Sequence, residues 1–175
     1  MAKLRKMLGS VDAPQVTALM RLMETQSKAT LIRWAAAYVE ERYLEIYEKT
    51  YPEDGRLRAL LTAVREFLDG KRKQQELKAL LREARPIAQQ AEGSPAAQAA
   101  ARAVTTACAT AQTPTSALGF TFYGAAAVAY DKAGLSASPE CYDAIAAGEF
   151  ERIVESLRKS AIPHEENPVK LNWYC

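Results

Sequence analysis

Apolar residues recur every three or four positions along most of the chain and nowhere alternate with polar ones in period two, so the pattern predicts helices and no strands. Val16, Leu19, Met20 and Met23 mark a first helix with Asp12 as its cap. Ser27 opens a second, with Leu31, Ala35, Tyr38, Val39, Ile46 and Tyr47 inward until Pro52 stops it. Asp54 caps a third, whose Leu57, Leu60, Leu61, Val64, Phe67 and Leu68 form one stripe ended by Gly70. A fourth carries Leu77, Leu80, Leu81, Ala84, Ile87 and Ala88 up to Gly93, and Pro86 inside it predicts a kink. Ser94-Pro95 and Thr113-Pro114 each set a capping hydroxyl before a proline, which predicts two antiparallel helices with almost no loop between them. Ser138-Pro139 opens a short helix ending near Gly148. Phe150, Ile153, Val154 and Leu157 then mark a last one, terminated by Pro163. The irregular tail from Asn167 ends in aromatic residues expected to dock on the body.

Charge sharpens this picture. The 41 residues from Ser94 to Gly134 hold only Arg102, Asp131 and Lys132 as charges, together with fifteen alanines, and alanine lets backbones approach closely. The expected fold is all-α, a compact multi-helix bundle of antiparallel helical hairpins around an alanine-rich central helix pair. It forms a single helical domain over 1–175, with a core at 28–134, C-terminal helices at 135–162 and an irregular tail at 163–175. The uncharged run from Ala103 to Tyr130 is too rich in threonine and alanine for a membrane span. A net charge of +2 with no strongly basic segment argues against nucleic acid. Cys108, Cys141 and Cys175 have no CxxC spacing, and no apolar N-terminal stretch of signal-peptide length precedes them, so a reducing cytoplasm is the expected setting.

Several short pieces carry a resemblance. Arg33-Trp34-Ala35-Ala36, Tyr51-Pro52-Glu53-Asp54-Gly55-Arg56-Leu57-Arg58, Ala107-Cys108-Ala109-Thr110-Ala111, Pro114, Ala117-Leu118-Gly119 and Tyr123 are the residues concerned. Through them the segment Leu31 to Gly134 resembles a bacterial family of immunity proteins, the one numbered five among those accompanying polymorphic toxins. The resemblance implies protection of a bacterial cell by binding a cognate toxin, without catalysis. Members of that family carry histidines in the alanine-rich pair where this chain has Thr106, Gln112 and Ser116, so no imidazole-based metal or acid–base role carries over.

Two constellations are candidate sites. Glu41, Glu45 and Glu48 fall at i, i+4 and i+7 on the second helix, with Asp54 just beyond, and such an acidic stripe would suit a basic toxin. The alternative is a solvated face relieved by Lys49 and nearby arginines. Arg102, Thr106, Thr110, Gln112 and Ser116 form a polar seam in the apolar centre, either a small ligand pocket or threonines bonded one turn back. An enzyme or small-molecule binder using that seam, or a helical scaffold, are the competing functions. Catalytic residues are not expected: the single histidine, His164, has no fixed partner in sequence, and Cys108 has no activating neighbour. Lys71-Arg72-Lys73 reads as a solvated loop, and Trp34, Tyr38, Tyr43 and Tyr47 as core and boundary packing. Neither a metal nor another cofactor is implied, because one histidine and three scattered cysteines complete no usual site.

Overall fold

A computed structural model describes residues 3–173, which contain eight α-helices and one short 3₁₀ turn. They are α1 (Pro14–Met23), α2 (Lys28–Arg42), α3 (Leu44–Thr50), α4 (Arg56–Leu68), α5 (Gln74–Gln90), α6 (Pro95–Cys108), α7 (Ser116–Ala133) and α8 (Pro139–Ser160), with the 3₁₀ turn at Ala109–Ala111. No extended strand occurs among the described residues; a lone bridge joins Ser27 to Pro168. The fold is all-α and tightly packed. In α6 the alanines at 97, 99, 100, 101, 103 and 107 are buried, and the helix lies against α2, α3, α4, α5 and α7. α7 in turn packs on α8, and α8 on α1 and α2.

Local chemistry explains most boundaries. Ser27 accepts the Thr30 N–H at 3.2 Å and Ser138 the Cys141 N–H at 3.1 Å, both as side-chain caps. α4 is closed by Gly70 at φ 74°, with Lys71 N–H returning to the Glu66 carbonyl at 2.8 Å. Other expectations are corrected. Ala13, not Asp12, precedes α1, and no side chain caps it because Pro14 already presets the first turn. Gly55 occupies the cap of α4, although Asp54 still accepts the Arg56 N–H at 3.1 Å. Thr113-Pro114 forms a turn, and α7 starts only at Ser116. α5 is one helix that includes Pro86, which with Arg82 lies on its exposed side.

The largest correction concerns α8, a continuous 22-residue helix where a short helix and a last one were expected. Gly148 does not end it. The glycine is exposed, and a methyl group there would meet nothing within 4 Å. Gly148→Ala should therefore stabilise the protein by roughly 1 kcal/mol, read as a rise in thermal midpoint, by restricting the unfolded chain and restoring helix propensity.

Both ends of the described chain are tied down. Leu8 N–H donates to the Phe122 carbonyl at 3.1 Å, the Tyr130 hydroxyl donates to the Arg5 carbonyl at 2.6 Å, and Arg5 pairs with Asp143 at 2.7 Å. On the opposite side the Trp173 indole donates to Glu24 at 2.7 Å, so the aromatic tail docks as expected up to that residue; Tyr174 and Cys175 lie outside the described residues. The Glu165 carboxylate accepts from the Thr30 hydroxyl and the Ser27 N–H. Partial burial raises its pKa, but these hydrogen bonds prevail and hold it below the ordinary value.

Candidate functional site

The second helix predicted from sequence is two helices. Tyr43 interrupts it, with φ −112° and ψ −28°, between α2 and α3, so Glu41 lies on α2 while Glu45 and Glu48 lie on α3. The three acids therefore straddle the junction, where Tyr43 keeps an αR backbone, donates its N–H to the Val39 carbonyl at 2.9 Å and shares the buried side with Val39 and Tyr47. The acids also differ in circumstance. Glu41 and Glu45 are exposed and have no ion pair among the described residues. Glu48 is half-buried and accepts from Arg58 at 2.8 Å.

Asp54 is more deeply committed. Its carboxylate accepts from the Tyr47 hydroxyl at 2.6 Å and from the Arg56 guanidinium at 2.7 Å. The Arg56 hydrogen bond holds Asp54 well below the usual carboxylate range against a smaller opposing effect of burial, and Tyr47 is pushed up to about 12 by burial and by its bond to Asp54. A carboxylate with a depressed folded pKa contributes stability that is present above its unfolded pKa of about 4 and is lost as pH falls through the folded value. Asp54→Asn is thus expected to flatten the acid limb of a stability-against-pH curve below about pH 4. An unchanged acid limb in denaturant titrations would show that the cluster is not coupled to folding.

The strongest electrostatic feature lies on the other side of the α2–α3 break. Glu149 of α8 is buried, and its side chain is fully withdrawn from solvent. One oxygen accepts from Arg42 Nε at 3.1 Å and Nη2 at 2.9 Å; the other accepts from the hydroxyls of Tyr38 at 2.9 Å and Tyr43 at 2.7 Å. Every lone-pair direction is thus used, the condition under which a buried ion pair is tolerated. Burial first, and the Glu149 charge second, raise both tyrosines far above their ordinary value, so both remain hydroxyl donors. Burial alone would lower the Arg42 pKa, but the Glu149 bonds outweigh it and keep the guanidinium charged. Tyr43 can cross to Glu149 because Gly124 of α7 has no side chain: a Cβ there would overlap the Tyr43 ring. Beside this network lies a cleft of about 500 Å³ lined by Arg42, Glu41, Arg152, Ser156 and Lys159.

Glu149 was missed in the sequence because helix termination at Gly148 hides its phase. Tyr142, Ala146, Glu149, Ile153 and Leu157 share the buried side of one continuous α8, a spacing that would have placed the carboxylate inside.

The polar seam is only partly assembled. Arg102 and Thr106 line a common cleft of about 430 Å³ between α5, α6 and α7, whereas Thr110, Gln112 and Ser116 are not among its walls. Thr105 bonds one turn back, to the Ala101 carbonyl at 2.9 Å. Thr110 is fully buried with its hydroxyl unpartnered, and the Gln112 Nε2 is likewise buried without a partner. Cys108 is buried, and burial pushes its thiol up to about 12, where it is chemically inert at neutral pH. His164 is exposed at φ 53°. No group of three metal-capable side chains occurs among the described residues, and no helix among them is long and apolar enough to cross a membrane.

Among the described residues, Glu149 is thus a carboxylate committed to a buried network, while Glu41 and Glu45 on either side of the α2–α3 junction are exposed and without an ion pair. The family described as "Imm-5 like putative immunity protein" matches residues 21–156, a span that includes α2 through most of α8, and the chain belongs to that family. No curated protein and no solved structure matches it.

Proposed function

We propose that this protein neutralises a cognate bacterial toxin in the cytoplasm by binding it, without catalysis, and that a basic toxin surface meets the α2–α3 bend. Family membership carries this reading. The position of the free acids gives it a surface: Glu41 and Glu45 are uncommitted, while Glu48 and Asp54 beside them are held by Arg58 and Arg56. Those paired acids set direction more than charge. The alanine-rich α6–α7 pair is read as the rigid centre on which the bend is mounted.

The test uses a cognate toxin, sought first among the products of the neighbouring genes and recognised by saturable binding to this protein. Surface charge steers association over a screening distance of about 8 Å at physiological salt. Reversing Glu41 and Glu45 to lysine together should therefore slow association by roughly tenfold at low salt and flatten its salt dependence, with circular dichroism and melting unchanged. An association rate indifferent to both reversals would move the interface elsewhere.

A further inference from the structure

Arg102 is the only charged residue between Ser94 and Tyr130, and it stands half-buried on α6. Arg42 on α2, Arg56, Arg58 and Arg65 on α4, and Arg72 in the α4–α5 connection each hold a carboxylate, but no carboxylate lies within ion-pair distance of Arg102 among the described residues. Arg102 lines an open cleft, and its guanidinium donors are left without an anion there. The cleft it lines contains a second arginine without an ion pair among the described residues, the exposed Arg85 of α5. Thr106, one turn beyond Arg102, and Tyr123 of α7 bring hydroxyls to the same walls, and neither hydroxyl has a partner among the described residues. The carboxylate lining the cleft belongs to Glu92, which is exposed and beyond ion-pair distance of both arginines. The walls therefore carry two positive charges against one negative, and their unused groups are mostly donors.

We propose that this α5–α6–α7 cleft binds a small oxyanion, the phosphate or carboxylate group of a low-molecular-mass ligand. Arg102 and Arg85 hold its oxygens, and Thr106 and Tyr123 donate to it. A guanidinium fork presents parallel N–H groups that match two oxygens of either anion, which a lysine does not. Glu92 at the mouth weakens the site without closing it. This site is separate from the α2–α3 bend and does not depend on toxin binding there.

Inorganic phosphate and succinate serve as probes, each titrated at constant ionic strength into isotope-labelled protein and followed by NMR. Saturable one-to-one binding is expected for at least one of them; preference for phosphate assigns phosphoryl ligands, and preference for succinate assigns carboxylates. Arg102→Gln should weaken it by about tenfold or more, the weight of one charge-assisted hydrogen bond, and Arg85→Gln by several-fold. Glu92→Gln should tighten it, an effect opposite in sign to any general loss of structure. Arg33→Gln, a substitution on α2 outside this cleft, should leave it unchanged. If Arg102→Gln fails to fold, Arg85→Gln and Glu92→Gln decide alone, since both positions are exposed. Absence of saturation by either anion below about 50 mM, or binding indifferent to the Arg85 and Glu92 substitutions, overturns the site.

Discussion

Glu149→Gln should be among the most damaging single substitutions in this protein, lowering unfolding free energy by about 3–5 kcal/mol, because it leaves a partly buried Arg42 without its counter-charge. That is a large share of the roughly 5–15 kcal/mol available to a domain of this kind. The individual hydroxyls weigh less: Tyr43→Phe should cost about 1–2 kcal/mol, since the carboxylate keeps three of its four donors. Denaturant unfolding measures both. Converting the whole cluster with Arg42→Met, Tyr38→Phe, Tyr43→Phe and Glu149→Leu should recover most of the loss, because a well-packed apolar replacement removes the desolvation cost along with the pair. If Glu149→Gln costs less than about 1 kcal/mol, water reaches the site and the network contributes little to stability.

Gly124→Ala is the second large expectation. The added methyl group would enter the space of the Tyr43 ring and hydroxyl, and the ring has nowhere to retreat: it is fully buried, held edge-on to Tyr38 with centroids 5.6 Å apart, and bonded to Glu149. Overpacking of this kind costs about 1–3 kcal/mol, and displacement of the Tyr43 hydroxyl should bring the total to the upper end. A double-mutant cycle separates this from an effect on α7 itself. With Tyr43→Leu in place the clash is relieved, and Gly124→Ala should become neutral or stabilising by up to about 1 kcal/mol through helix propensity. Additive costs in the cycle would mean that the glycine is needed for another reason.

Many elements were legible from local signals, although Asp12, Asp54 and Thr113-Pro114 show that a capping residue type alone does not fix a helix start. Ser27 and Ser138 cap as their positions suggest, the stripe of α4 is inward, and the charge-poor segment is buried. Where a distant contact decides geometry, local reading failed. Tyr43 stands at the α2–α3 junction with its ring against Gly124 and its hydroxyl on Glu149, some eighty and a hundred residues away, and nothing near Tyr43 signals those contacts. Gly148 reads as a terminator, yet packing on α1, α2 and α7 carries α8 straight through it. The candidate acids were found as residue types, but their division into free Glu41 and Glu45 and committed Glu48 and Asp54 depends on where Arg56 and Arg58 land once the chain turns at Pro52.

The Arg42–Glu149 pair spans 107 residues of sequence, and the two tyrosine bonds span 111 and 106. During synthesis, α2 leaves the ribosome long before α8 exists. Throughout that interval Arg42 and both hydroxyls must stay hydrated, which keeps the α2–α3 bend from closing over its final interior. This part of the interior therefore reaches its final arrangement only after α8 has been made. A ribosome-bound intermediate that stops at α7 holds the acids of the bend in sequence but not in place, and the finished arrangement arises only when α8 delivers its carboxylate.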